Sequence, residues 1–409
     1  MAGPINAAAV AALDDVPLDW RFKGLPAGWW GSTAAQLRAR RPDLFGEGAV
    51  GPVCVLDARA LEHNLAAMAT WCAACGVELA PHGKTHMAPQ LLARQFEAGA
   101  TAVTVATISQ VRVWRAFGVR DVILANELVD DAGLRWLAGE LNTDPDFGLI
   151  CWADSVAGVA AMTAALESAD RAVDVCVEVG MPEGRTGCRD RRDVDEVARA
   201  VVASPRLRLV GVAGYEAALG HDVNPAGLAR VRSYLAEMRA AVLRLGPLFE
   251  TDRVIATAGG STYFDEVADA LTDWPAGLPV RTVLRSGCYL THDDGLYRRT
   301  SPLREALRPA LSVWAQVMSR PQPDLALLTM GRRDVSFDQD MPVPRALPAA
   351  RVTKLNDQHA YLRLGGQSVG VGDWVQFGIS HPCTVFDKWP MIPMLDHDGR
   401  VVELIRTFF

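Results

Sequence analysis

Between Val53 and Leu284, short apolar runs alternate with helical patterns, and no other feature restricts the fold so strongly. The runs occupy residues 53–56, 77–80, 102–106, 122–125, 148–153, 173–179, 209–213, 254–258 and 282–284. Helical patterns at 90–98, 109–117, 131–139, 155–168, 194–202 and 226–245 separate most of them. A helix also follows the first run, with Leu61, Leu65, Met68 and Cys72 on one face and Gly76 as its stop. Alternation of this kind over about 240 residues implies a parallel sheet, because each return crossover is long enough for a helix. So many units favour a closed (β/α)8 TIM-like barrel over an open, doubly wound sheet. No G-x-G-x-x-G opens the first helix, which counts against a dinucleotide site.

The pattern changes near Pro302. Beyond it the runs are short and turn-bounded, at 312–318, 326–329, 361–364, 374–378 and 401–405. Gly365-Gly366, Gly372-Asp373 and Asp398-Gly399 punctuate them. This predicts a C-terminal β domain. Residues 1–50, with Trp20, Trp29, Trp30 and several prolines, read as an arm that packs on the β domain or the barrel. The expected division is therefore 1–50, 51–300 and 301–409.

Composition narrows the function. The 409 residues carry a net charge of −7 and no basic run, so neither nucleic acid nor an anionic membrane is an expected partner. No apolar stretch is long enough to span a bilayer, and the start lacks the basic region of a secretory signal. Eight scattered cysteines suit a reducing cytoplasm. Cys72 and Cys75 form a C-x-x-C at a helix end, and no second C-x-x-C completes a zinc site.

The chemistry-bearing stretch is Pro81-His82-Gly83-Lys84-Thr85-His86, after the run at 77–80. Barrel enzymes build their sites at the carboxyl ends of strands. A lysine there can form a Schiff base with an aldehyde cofactor, although most loop lysines are simply solvated. Three further stretches follow later strands: Gly184-Arg185-Thr186-Gly187, Gly214-Tyr215-Glu216 and Gly259-Gly260-Ser261-Thr262. Arg285-Ser286-Gly287-Cys288 comes last. Two Gly-rich turns on late strands suit a phosphate, and a phosphate cup with a lysine points to pyridoxal phosphate. In the β domain, His381 and Cys383 stand two apart in an extended segment, a spacing and donor pair that suit zinc. His359 belongs to a second polar cluster in the same domain.

These motifs, in this order over residues 50–409, resemble the D-threonine aldolase and D-serine dehydratase family. Its members are fold-type III pyridoxal phosphate enzymes with an alanine-racemase-like barrel and a C-terminal β domain. The resemblance implies Lys84 as the Schiff-base lysine and a divalent metal at His381 and Cys383, zinc before manganese or magnesium. It implies phosphate contacts from Gly260, Ser261, Thr262, Gly287 and Cys288, with Arg185 near the pyridine ring and Tyr215 near the cofactor. Phe386-Asp387-Lys388-Trp389 resembles the signature of a subgroup often labelled amino acid deaminase.

The expected activity is a cytoplasmic lyase acting on a D-3-hydroxy amino acid. Dehydration to a 2-oxo acid and ammonia is preferred, because His-x-Cys is similar to the dehydratase branch. Retro-aldol cleavage is the alternative and needs a base near the hydroxyl, for which His82, His86 and His359 are candidates. An amino acid racemase and a non-catalytic carrier of the cofactor are further readings. The resemblance also implies a homodimer.

Overall fold

The computed structural model describes residues 4–409; residues 1–3 of the expected amino-terminal arm lie outside the described residues. The chain divides into two compact units. One contains the residues up to Asn6 with Ala69–Lys84 and Gln95–Gly287, and the other contains Ala7–Met68, Thr85–Arg94 and Cys288–Phe409.

The first strand, β1 (Val53–Asp57), belongs to the second unit. The first unit is built on eight parallel strands: β2 (Glu78–Leu79), β3 (Val103–Val105), β4 (Asp121–Glu127), β5 (Gly148–Ala153), β6 (Val173–Val179), β7 (Leu207–Gly214), β8 (Val254–Ala258) and β9 (Val280–Leu284). Their spatial order is β2-β9-β8-β7-β6-β5-β4-β3. A parallel bridge between His82 and Thr104 closes the ring, with Thr101 and Thr104 amides donating to the carbonyls of Leu79 and Pro81. The alternation of the sequence is thus a TIM-like barrel. Ala80, Ile123, Trp152, Cys176, Ile255 and Val283 pack into one cluster on its strands.

The connecting helices start where short polar side chains can hold free amides. Thr107, Asp130, Ser155, Asp190 and Asn224 each cap a helix, and Pro225 follows the last of these caps. On Arg191–Ala203 the buried residues are Val194, Val197, Ala198 and Val201, the apolar stripe of an amphipathic helix.

The second unit holds a nine-stranded sheet containing β1, β10 (Leu311–Gln322), β11 (Leu325–Leu328), β12 (Val343–Pro344), β13 (Arg351–Leu355), β14 (Ala360–Arg363), β15 (Trp374–Gly378), β16 (Met391–Leu395) and β17 (Val401–Arg406). β1 is antiparallel to β10 and parallel to β16. Counting residues 53–56 as the first barrel strand therefore gives nine candidates for eight positions. The reason is physical: Val53 to Leu56 are all buried, and an all-apolar strand reads alike in either sheet. β12, β13 and β16 also escape the sequence reading. Pro393 lies inside β16 and cannot donate to a ladder, which argues against a strand at that position.

Residues 7–50 fold onto this sheet. Leu18, Phe22, Leu25, Trp29, Leu37 and Leu44 are buried in one cluster with Val53, Val55, Met391 and Leu404. Thr33 and Gln36 form a reciprocal capping box at the start of Ala34–Arg40. Among the described residues no helix is long and apolar enough to cross a membrane.

Candidate active site

Side chains alternate along a strand, so the residues two beyond the barrel cluster also face inward, one layer nearer the carboxyl ends. From Ala80, Trp152, Cys176, Ile255 and Val283 this step leads to His82, Asp154, Glu178, Thr257 and Arg285. On β4 the row runs Ile123, Ala125, Glu127. The inward row at the barrel mouth thus carries His82 and Arg285 on one side and the carboxyls of Glu127, Asp154 and Glu178 on the other.

Lys84 lies at this mouth, in a single 3-10 turn, Gly83–Thr85, just past β2. Gly83 permits the turn: a Cβ there would stand 2.6 Å from Val103 and 2.9 Å from the Trp114 ring. Lys84 is half-buried, and no carboxylate among the described residues pairs with it. Burial, with the positive charges of Lys84, Arg285 and Arg185, holds the His82 imidazole neutral well below its usual range. Its Nδ1 is buried without a partner.

Arg285 is 3 % exposed. Nη1 donates to Thr257 Oγ1 (2.7 Å) and Nη2 to the Gly214 carbonyl (2.6 Å), while Nε has no partner. The Arg185 guanidinium lies 4.3 Å from the centre of the Tyr215 ring. Arg189 fixes the loop that carries Arg185, donating to the carbonyls of Gly184, Arg185 and Thr186. The Tyr215 amide donates to Tyr234 Oη (3.0 Å), which donates to the Val179 carbonyl (2.6 Å).

The Gly259-Gly260 turn is held by a carboxylate. Glu216 accepts from the Gly259 amide at 3.0 Å and the Gly260 amide at 2.7 Å. A Cβ on Gly260 would lie 3.0 Å from the Tyr215 ring, so the space above the turn depends on glycine. Thr262 Oγ1 is 2.8 Å from His221 Nδ1.

The second unit contains the other constellation. His381 Nδ1 stands 2.5 Å from Asp338 Oδ2, and the His381 amide donates to Asp293 Oδ2 at 2.9 Å. Burial opposes the charged imidazole, but the Cys383 sulfur and the Asp338 carboxylate outweigh it and raise its pKa to about 9. Cys383 Sγ lies 3.4 Å from Cys288 Sγ and 3.4 Å from the Thr85 hydroxyl. Cys288, then His381 and Thr85, hold the Cys383 thiol well below its usual pKa against the opposing effect of burial. The pair is therefore a thiolate beside an imidazolium. With Asp338 on Nδ1, Nε2 is the nitrogen that could take a metal in exchange for its proton.

The other expected residues are distributed as follows. The Cys288 side chain joins Cys383, and Gly287 is buried at the end of the first unit. His86 is fully buried, with Nδ1 accepting from the Ala88 amide and its ring edge-on to Phe386. His359 sits in the β13–β14 hairpin, where its carbonyl accepts from Asn356. It has no hydrogen bond to His381 or Cys383. Glu127, Asp154, Glu178 and Arg285 received no role from the sequence, yet strand alternation alone would have found them. Asp338 lies in an irregular loop that carries no local signal, and His221 in a short polar loop.

Comparison with known proteins agrees with this architecture. The profile described as the alanine racemase N-terminal domain matches residues 56–293, and that of a putative serine dehydratase domain matches residues 310–395. The chain is 28% identical to D-threonine aldolase of Arthrobacter sp. over 356 residues, which is 86% of this chain and 88% of that protein. The crystal structure of D-threonine aldolase from Filomicrobium marinum superposes with a TM-score of 0.76 at 26% identity, covering 88% of this chain and 95% of that one. D-threo-3-hydroxyaspartate dehydratase of Delftia sp. HT23 shares the fold, with a TM-score of 0.73 at 23% identity, covering 88% and 98%. A cysteine-to-alanine variant of a D-threo-3-hydroxyaspartate dehydratase is described in a metal-free form, and shares the fold with a TM-score of 0.72 at 23% identity, covering 88% and 98%. A barrel of the alanine racemase type, followed by a serine-dehydratase-type β domain, places this chain in the D-threonine aldolase and D-serine dehydratase family of fold-type III pyridoxal phosphate enzymes.

Proposed function

We propose that this chain is a lyase that dehydrates a D-3-hydroxy amino acid to a 2-oxo acid and ammonia, using pyridoxal phosphate and a divalent metal. The observation that carries the dehydratase choice is the His381–Cys383 donor pair, with Asp338 on the imidazole Nδ1 and the Cys288 sulfur 3.4 Å from that of Cys383. Those donors favour zinc over manganese or magnesium, and a Lewis acid of that kind suits a leaving hydroxide.

The barrel mouth fits an anionic aldehyde cofactor. Lys84, Arg185 and Arg285 supply positive charge, and His82 Nδ1 and Arg285 Nε are buried polar atoms that await partners. Lys84 is assigned the covalent link. When bound, the cofactor supplies an electron sink for the bond broken at the substrate α-carbon. Lys84 Nζ would hold the cofactor and would be the base placed to take the substrate α-proton. Arg185, seated on Tyr215, would be the residue near the pyridine ring. The Gly260 amide is engaged by Glu216, so that residue serves the phosphate by leaving room, while Ser261, Thr262, Gly287 and the Cys288 backbone supply the contacts.

The metal would be held by His381 Nε2 and Cys383 Sγ and would polarise the β-hydroxyl. Asp338 fixes the imidazole from its other nitrogen. Eight free cysteines support a reducing, cytoplasmic setting, and the family resemblance supports a homodimer.

Retro-aldol cleavage is the second reading, because the D-threonine aldolase of Arthrobacter spans most of this chain. Among the candidate bases, His82 is the one at the mouth with a neutral ring, and His86 Nδ1 is already engaged. The deciding experiment gives purified holoenzyme D-serine, D-threonine and D-threo-3-hydroxyaspartate in turn. A 2-oxo acid with ammonia supports dehydration. Glycine with an aldehyde supports the aldolase, and inversion at the α-carbon without either product supports a racemase.

A further inference from the structure

Glu127 closes β4 and Glu178 lies near the end of β6, both on the inward row at the barrel mouth. Glu178 is 3 % exposed. Both Glu127 carboxyl oxygens and Glu178 Oε2 are buried without a donor from another described residue, and the amide that approaches the Glu127 carboxyl is its own. The two carboxyls are within hydrogen-bond reach of each other. Buried polar oxygens are almost always satisfied, and two carboxylates in contact repel. A single proton held between them, as in paired catalytic carboxyls, relieves the repulsion and satisfies one oxygen of each.

Glu178 connects this pair to the cofactor residues. It lines a small pocket with Arg185, Thr186, Tyr215 and Tyr234. Its charge also acts on the Arg285 guanidinium. We propose that Glu127 and Glu178 form a proton-sharing carboxyl pair that positions Arg185 and sets the charge beneath the bound cofactor. With the proton in place the pair carries one negative charge. When the proton leaves to solvent, the pair carries two, and its pull on Arg185 and Arg285 increases. Both are positioning residues, since they act through the arginines.

Burial, with the charges of Glu178 and Asp154, pushes the Glu127 carboxyl up to about 8. The other titratable or charged groups facing the pair are Cys151, Cys188, Arg185, Tyr234 and Arg285. The link to the cofactor rests on the function proposed above, whereas the shared proton does not.

Two measurements on the holoenzyme separate these claims. The first is the infrared carbonyl band of a protonated carboxyl at neutral pH. It is expected in the unaltered protein, to disappear at alkaline pH, and to be lost in Glu127→Gln. Its absence from the unaltered protein at neutral pH would overturn the shared proton, whether or not pyridoxal phosphate is bound. The second is the visible absorbance of the Lys84-linked cofactor, followed from neutral to alkaline pH. An inflection should coincide with loss of the infrared band, disappear in Glu127→Gln and return in Glu127→Asp. An inflection that survives unchanged in Glu127→Gln would overturn the coupling. Should Glu127→Gln not fold, coincidence of the two titrations in the unaltered protein decides the same point.

Discussion

The sulfur of Cys288 lies 3.4 Å from the sulfur of Cys383, although 94 residues separate them in the chain. A thiol at that distance supports the Cys383 thiolate, which His381 and Thr85 also favour. The proposed metal site would therefore be supported by residues that need not bind the ion. Removing such a supporting partner costs on the order of 10–100-fold in metal affinity. Cys288→Ala should show a loss of that size when metal is titrated against a competing chelator.

Removal of the metal itself should separate two steps. Chelation, Cys383→Ala and His381→Ala are each expected to leave the visible absorbance of the bound cofactor largely intact while 2-oxo acid production collapses. Because both residues act on one ion, the double variant should be no worse than either single one. Metal analysis and turnover on the same samples provide the check. Full activity in demonstrably metal-free protein would remove the reason for preferring dehydration.

Lys84→Ala should lose the reducible link to the cofactor and, if the lysine also moves the α-proton, roughly 10²–10⁴-fold in rate. Borohydride reduction of the unaltered protein should fix the cofactor at Lys84 on peptide mapping. A tag on another lysine would refute the assignment.

Thr262→Asp places a carboxylate in the turn assigned to the phosphate dianion. Like-charge repulsion should then sharply weaken cofactor retention in dialysis, while Thr262→Ser keeps the hydroxyl near His221 and should retain it. Equal retention in all three proteins would move the phosphate elsewhere.

His292 gives a prediction about stability. It is 1 % exposed with neither ring nitrogen partnered, and burial, then Arg298, lowers its pKa from 6.5 to about 4. Between those values the unfolded chain binds the additional proton, so this residue's contribution is complete above pH 6.5 and is lost as pH falls through the window. The loss amounts to at most about 3 kcal/mol. Asparagine tolerates the left-handed backbone at this position (φ +48°) and does not titrate. Urea unfolding of His292→Asn should therefore show a shallower decline in stability from about pH 7 to about pH 5.

Much of the architecture was legible because alternation is local. Leu61, Leu65, Met68 and Cys72 are buried on one helical face as their spacing requires, and Gly76 ends that helix at φ +66°. What escaped depends on distant partners. Val53–Asp57 joins whichever sheet offers a free edge, and that edge comes from β10 and β16, far along the chain. Asp338 has meaning only once the fold sets it against His381. The mouth carboxylates were within reach of the sequence, since they continue inward rows. No Gly-rich turn or motif marks them, because each is the last inward residue of its strand rather than part of the loop that follows.

The closure of the barrel has a consequence for motion. β6 and β7 pair over a long register, from Val173 with Leu207 to Val179 with Gly214. β2 is two residues long and meets β3 through one bridge, two amide bonds and the Thr104 hydroxyl on the Ala80 carbonyl. Cooperative opening follows the joints with the fewest bonds. The seam beside Lys84 is that joint, so amide hydrogens from Leu79 to Thr104 should exchange well before those of β6 and β7. The lysine assigned to the cofactor thus stands where the barrel can breathe without coming apart.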